Sequence, residues 1–225
     1  MRPWELLRTT VTPDEGRELR LYRRGDEFSI KVGNSLLMNS HVHGSEDALA
    51  EQACQRLGQR SQPRVLIGGL GMGFTLAAAL QQLGPDAEVV VAELIPAVVT
   101  WNRELLSGLA GHPLEDPRVT VHEGDVGRLI RSAREAYDAI LLDVDNGPEG
   151  LTRRENNSLY SPAGLSAALL ALRPQGIFGV WSISPDQRFS KRLQQAGFMV
   201  EEIRVRARGQ HGGGRHMIWL GTKRQ

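Results

Sequence analysis

Apolar and polar residues alternate near the N-terminus, and further along the chain the apolar ones gather into short unbroken runs. Glu18-Leu19-Arg20-Leu21-Tyr22-Arg23-Arg24 alternates, and so does Glu27-Phe28-Ser29-Ile30-Lys31-Val32 after a Gly25-Asp26 turn. Gly33-Asn34 then precedes Ser35-Leu36-Leu37-Met38. Period-two patterns separated by turn residues predict a small antiparallel meander. Such a piece buries little alone and needs a surface to cover its apolar face, on the main domain or on a second copy of the chain. Ser45-Glu46-Asp47 opens a helix that runs to about Leu57, with Ser45 as its N-cap and acids in the first turn to suit the helix dipole. From Arg64 onward strands are expected at 64–68, 88–93, 118–122, 138–143 and 176–182. Helices are expected at about 73–83, 95–109, 125–135 and 161–172. Buried strands alternating with helices predict a parallel sheet covered on both faces. The rhythm changes at the end. Lys191 to Ala196 reads as a short helix closed by Gly197, and Phe198 to Arg206 with His216 to Gly221 reads as an antiparallel closing pair.

Composition narrows this picture only a little. At 225 residues, 40% of them apolar, the chain has room for one sizeable α/β domain and a small appendage. A net charge of +1 provides no global field toward nucleic acid or an acidic membrane. Basic residues do gather late, at Arg204, Arg206, Arg208, Arg215, Lys223 and Arg224, and they read as solvated strand faces and a frayed tail. The flexible Gln210-His211-Gly212-Gly213-Gly214-Arg215 stretch lacks the aromatic platform of a single-strand binder, so nucleic acid ranks last among partners. The single cysteine, Cys54, lies on an apolar helix face and reads as a buried small hydrophobe. No leader pattern and no segment of membrane-spanning length is evident, which makes a cytoplasmic protein the expectation.

Chemistry is concentrated at the ends of the apolar runs. Val65-Leu66-Ile67-Gly68 leads into Gly69-Leu70-Gly71-Met72-Gly73, a helix follows, and Val89-Val90-Val91-Ala92 ends in Glu93. Glycines let backbone approach a ligand with no Cβ in the way. An acid about twenty residues later is placed to accept hydrogen bonds from ribose hydroxyls. No Gly-Lys-Ser/Thr follows, so a phosphate-cradling Walker loop is excluded. Asp125, after the third strand, can accept from an adenine amino group, cap the following helix, or do both. The fourth strand ends Asp143-Val144-Asp145-Asn146-Gly147-Pro148, which brings two carboxylates and an amide to the mouth of the sheet. Asp143 is the candidate to meet the reacting end of a cofactor or a cationic substrate, and Asp145 is the candidate base. Tyr160 either closes over the site or packs at the start of a helix. His41, His43 and Glu46 suggest a loop across the cofactor mouth; no further His/Cys cluster supports a metal, and no nucleophile elbow occurs.

Together these residues resemble the class I S-adenosylmethionine-dependent methyltransferase fold. More narrowly, the chain is similar to the spermidine synthase (polyamine aminopropyltransferase) family over roughly residues 16 to 222. The likeness rests on the meander, the Gly-Gly-x-Gly-x-Gly turn, Glu93, the Gly124-Asp125 pair and the strand ending at Asp143. It implies a Rossmann-like α/β fold, mostly parallel with an antiparallel C-terminal strand. Residues 1–44 would form the meander and an active-site loop, and residues 45–225 the cofactor-binding domain. It implies that Gly69, Gly71, Gly73, Glu93, Asp125 and Asp143 hold the cofactor, with Asp143, Asp145 and Tyr160 as catalytic candidates. It also implies a homodimer. Two departures fall on the acceptor side. The family's strand-end motif D-[ST]-[ST]-D-P places its second acid on Asn146, with Asp145 one position earlier. Of the family's acidic segment D-E-x-x-Y-H-E, only Glu46 remains in Ser40-His41-Val42-His43-Gly44-Ser45-Glu46.

The function expected first is aminopropyl transfer from decarboxylated S-adenosylmethionine to an amine acceptor, with methylthioadenosine leaving and no metal required. The alternatives are methyl transfer from intact S-adenosylmethionine, giving S-adenosylhomocysteine, and a cofactor-binding homologue without catalysis.

Overall fold

The computed structural model describes residues 2–13, 16–144 and 158–225. Four N-terminal strands, β1 (Glu5–Val11), β2 (Glu18–Arg24), β3 (Glu27–Val32) and β4 (Ser35–Asn39), form an antiparallel sheet in chain order. The alternating pattern anticipates the last three. It misses β1, which has an outer edge and few buried residues; Leu6 and Val11 are 51% and 60% exposed, so no apolar face marks the strand.

The larger sheet is built from β5 (Arg64–Gly68), β6 (Glu88–Glu93), β7 (Val119–Glu123), β8 (Tyr137–Leu142), β9 (Leu172–Ser182), β10 (Phe198–Arg206) and β11 (Arg215–Lys223). Their spatial order is β10-β11-β9-β8-β5-β6-β7. The pairs β5–β6, β6–β7, β5–β8 and β8–β9 are parallel, and β11 is inserted antiparallel between β9 and β10. The helices are α1 (Gly44–Leu57), α2 (Phe74–Gln82), α3 (Pro96–Trp101), α4 (Val126–Ser132), α5 (Pro162–Ala171) and α6 (Gln187–Gln195). Among the described residues, no helix is long and apolar enough to cross a membrane.

Period-two geometry sends Val65 and Ile67 of β5 to one face and Leu66 to the other. The first face packs on α1, α2 and α3 through Leu49, Leu76 and Val98. Leu19, Leu21, Ile30 and Val32 of the meander join that same core, so the small sheet covers its apolar face on the main sheet's helices. The second face packs on α4, α5 and α6 through Ile130, Leu165 and Phe189. Cys54 is buried in α1, where burial pushes its thiol up to about 11.

Several boundaries differ from the expectation: α6 starts at Gln187 and not Lys191, α4 ends at Ser132, and three further differences bear on the site or the core. His43, not Ser45, is the N-cap of α1; Ser45 lies inside the first turn with its hydroxyl engaged elsewhere. The helix expected over 95–109 is regular only to Trp101, then widens into one π turn over Asn102–Leu106. β9 begins at Leu172, directly after α5.

Chain direction reverses about β5. The chain passes from β5 to β6 and β7 on one side, then to β8 and β9 on the other. The crevice above the carboxyl ends of β5 and β8 is where open α/β sheets bind ligands.

Candidate functional site

β5 ends at Gly68, and residues 69–73 turn the chain into α2. Gly69, Gly71 and Gly73 have φ of 89°, 53° and 88°, the left-handed region open to glycine. At Gly69 a Cβ would lie 2.3 Å from the carbonyl oxygen of Asp143, so only glycine lets β5 and β8 converge here. The turn is pinned from outside. Gly69 N–H donates to Ala92 O at 2.9 Å, and Asn102 Nδ2 donates to Gly71 O at 2.8 Å and to Val98 O at 2.9 Å. Asn102 was not anticipated. It is the first residue of the π turn, and its buried amide links that turn to the glycine loop.

Glu93 ends β6 and is 8% exposed. Leu70 N–H donates to its Oε2 and Ile95 N–H to its Oε1, each at 2.9 Å. Burial pushes its carboxyl up, while backbone N–H groups of Ile95, Leu70, Gly71 and Leu94 pull it down. Each carboxylate oxygen can accept more than one hydrogen bond. Glu93 therefore clasps the glycine turn and keeps lone pairs for a ligand. Asp125, beyond β7, is the N-cap of α4: Gly127 N–H donates to Oδ1 at 2.8 Å, and Arg131 Nη2 to Oδ2 at 3.1 Å. The capping reading is thus met, and Asp125 also lines the cavity described next.

Gly69, Gly71, Glu93, Asp125, Asp143 and Glu46 line one cavity of about 150 Å³. Its apolar wall is the meander, through Leu19, Ile30, Val32 and Met38. The sheet order puts Glu93 and Asp125 on one side of β5 and Asp143 on the other. The residues fit an adenosyl group: glycine backbone below, acids where sugar and base would lie, and an apolar roof.

The far side is acidic and buried. Asp143 follows β8, and its Oδ2 accepts a 2.6 Å hydrogen bond from Thr75 Oγ1 in α2. Glu46, 7% exposed, accepts a 2.5 Å hydrogen bond from Ser45 Oγ. Among the described residues the hydrogen-bond partners of both side chains are hydroxyls, with no cation. Desolvation raises both acids, Asp143 to about 6 and Glu46 to about 8, and the charge of Asp143 adds to the rise at Glu46. The pair titrates as a unit, and its second proton is lost only above neutrality.

Tyr160 is 2% exposed, meets Phe189 edge-on at 5.5 Å and belongs to the core on the other face of the sheet. It does not line the cavity, so of the two roles open to it the structure shows packing at the start of α5. Asp145 and Asn146 lie outside the described residues. His43 stacks on Phe74 at 4.0 Å and bonds Asp47 at 2.7 Å, and the carboxylate raises its pKa. His41 and His43 line a neighbouring cavity beside α1, with Arg208 and His211 opposite, and not the one that holds Glu93.

No family model matches the chain. It is 32% identical over 98 residues to the polyamine aminopropyltransferase of Korarchaeum cryptofilum, covering 44% of this chain and 30% of that protein. It is 31% identical over 149 residues to polyamine aminopropyltransferase 1 of Streptomyces coelicolor, covering 63% of this chain and 27% of that protein. The matches thus span less than a third of the length of these curated relatives. By fold, the chain is similar to a spermidine synthase solved with the transition state analogue AdoDATO, with a TM-score of 0.77 and 15% identity over 97% of this chain and 72% of that one. The spermidine synthase of Thermotoga maritima gives 0.76 at 15% identity, over 97% and 72% of the two chains. At that identity the likeness is one of architecture, and it includes both the seven-stranded sheet and the meander. In sequence the chain is similar to polyamine aminopropyltransferases, and in fold it is spermidine-synthase-like.

Proposed function

We propose that the chain transfers an aminopropyl group from decarboxylated S-adenosylmethionine to an amine acceptor, releasing methylthioadenosine. The observation that carries this reading is the buried pair Asp143 and Glu46, whose side-chain hydrogen-bond partners among the described residues are hydroxyls. Two neighbouring carboxylates out of water call for a positive guest. A sulfonium and an ammonium both qualify. Intact S-adenosylmethionine would bring a third carboxylate toward this pair, so the decarboxylated form suits the site better.

The bound sulfonium supplies an electrophilic carbon and a neutral leaving group. The chain's own part is positioning, electrostatics and proton handling. Glu93 and Asp125 hold the nucleoside side. Asp143, kept in place by Thr75, stabilises positive charge. Glu46 faces the acceptor and takes up the proton that its nitrogen sheds. The meander wall keeps water from the reacting groups. The exposed Leu6, Val11 and Leu36 on that meander support a homodimer, which light scattering would detect.

The test is calorimetry with methylthioadenosine, decarboxylated and intact S-adenosylmethionine, followed by methylthioadenosine release with a panel of diamines. Tighter binding of the decarboxylated form and amine-dependent release are expected, with release lost and methylthioadenosine affinity retained in Asp143→Asn. Tighter binding of the intact form together with methyl transfer would overturn the proposal.

A further inference from the structure

Glu46 is connected to the protein surface by two side chains. Ser45 Oγ lies 2.5 Å from Glu46 Oε2 and 2.8 Å from Nδ1 of His216 on β11. Ser45 is fully buried, Glu46 is nearly so and lines the cavity, and His216 is half-buried with its ring edge-on to Trp181 at 5.0 Å. The contact joins residues 171 positions apart. Helix α1 does not depend on this hydroxyl, because its N-cap is His43. A buried serine between an acid and an imidazole is a continuous hydrogen-bonded path from the cavity to water.

We propose that Ser45 and His216 form a proton relay that empties Glu46 toward solvent, so that Glu46 can accept the proton lost by the attacking amine. This inference rests on the amine-transfer reading. In the relay, protonated Glu46 donates to Ser45 Oγ while the Ser45 hydroxyl proton passes to His216 Nδ1. Glu46 becomes a carboxylate and His216 an imidazolium. The imidazolium then loses a proton to water, and exchange with water restores the tautomer whose Nδ1 is free. As the acceptor's C–N bond forms, the nitrogen's proton moves to Glu46 and the cycle repeats. A bound cation favours this direction, because it offsets the burial and the neighbouring acids that hold the proton on Glu46. Asp143 and Asp47 are the acids that act on it, and the Asp47 side chain is shared with His43 on the same turn. His216 faces Ser45 and Trp181, and burial lowers its pKa, which keeps the resting ring neutral and makes the imidazolium shed its proton readily to water.

The experiment follows the His216 ring by NMR across pH in the full chain and in Ser45→Ala and Glu46→Gln. In the wild type, His216 shows its own inflection and a second one near pH 8, where Glu46 titrates. Both variants lack the second. A single inflection, identical in all three proteins, overturns the relay. Turnover provides an independent arm. Ser45→Ala is expected to lose about tenfold or more in kcat, within the range of general acid–base effects, with methylthioadenosine affinity unchanged and the loss shrinking as pH rises. His216→Gly should behave alike and be rescued by added imidazole. Equal kcat in wild type and Ser45→Ala at every pH also overturns the relay. If the wild type releases no methylthioadenosine with any amine while the second inflection stands, the functional reading falls and the connection from Glu46 to His216 does not.

Discussion

Thr75, in the first turn of α2, donates a 2.6 Å hydrogen bond to Asp143, just past the end of β8. Among the described residues it is the side-chain hydrogen bond that opposes the effect of burial on that acid. Thr75→Val keeps the shape and removes the donor, so the Asp143 pKa moves further up. The acid limb of the kcat profile should shift to higher pH, with methylthioadenosine binding unchanged. An unmoved limb would mean that Asp143 does not govern turnover.

Glu46 makes stability depend on pH. Its carboxyl rises from 4.5 to about 8 on folding, so the folded state holds the proton more tightly than the unfolded one. Stability from this group is therefore complete below pH 4.5 and declines as pH climbs through about 8. Glu46→Gln removes that dependence. The variant should match the wild type in melting temperature at low pH and exceed it above pH 8, where each kcal/mol is worth about 2–4 °C in a chain of this length. Thermal melts across pH test this directly.

Glu93→Gln replaces an acceptor oxygen with an amide that faces backbone N–H groups. One buried donor loses its partner, at a cost of about 1–3 kcal/mol. Because the same carboxylate clasps the glycine turn, methylthioadenosine affinity should fall together with stability. Calorimetry and denaturant titration on one sample would show whether the two losses coincide.

Gly69→Ala and Gly71→Ala should differ. Both carry a positive φ, worth about 1–2 kcal/mol of strain for an L-residue. The new methyl at Gly69 meets the carbonyl of Asp143 at 2.3 Å, whereas at Gly71 it meets the tip of Met38 at 2.6 Å. A methionine end can move and a strand-end carbonyl cannot. Gly69→Ala should therefore be the more destabilising, and only the Gly71→Ala defect should be partly relieved by Met38→Ala.

Asp138 provides a control remote from the cavity. Its side chain is 4% exposed and accepts from Arg60 Nη1 at 2.7 Å, Arg173 Nη1 at 2.6 Å and Arg64 N at 2.8 Å. Asp138 is buried but its arginines are partly exposed, and losing a hydrogen bond between a carboxylate and a charged donor costs about 1.5–3 kcal/mol. Asp138→Asn should lower stability by that order and leave methylthioadenosine affinity as it was.

The parallel sheet and the glycine turn were legible because buried strands read as unbroken apolar runs, and β5 and β6 fall where those runs do. Glu93 was legible for the same reason, as an acid at the end of one. β1 was not, because an exposed edge strand has no apolar face to betray it. Asn102 was hidden by a pattern that reads as continuous helix, since a π turn changes the winding without changing the residue types. Asp138 carries a signal that went unused: an acid inside an apolar β-run must find cations. Ser45 read as a helix cap from its immediate neighbours, and its true partner, His216, lies in the last strand, beyond the reach of any local pattern. Tyr160 was ambiguous until the opposite face of the sheet placed Phe189 against it.

The antiparallel insertion of β11 also decides when the site can exist. Gly44 N–H bonds Ala207 O at 2.9 Å, and a side chain at Gly44 would strike the backbone of Gly209 at 2.2 Å. The threshold of the first helix is thus seated against the β10–β11 hairpin, which follows the meander and the glycine turn in chain order. During translation the early meander and the glycine turn emerge long before that hairpin. A nascent chain that has not yet made β11 therefore lacks part of the seat of α1, and a truncation that removes β11 takes away His216, the partner of Ser45.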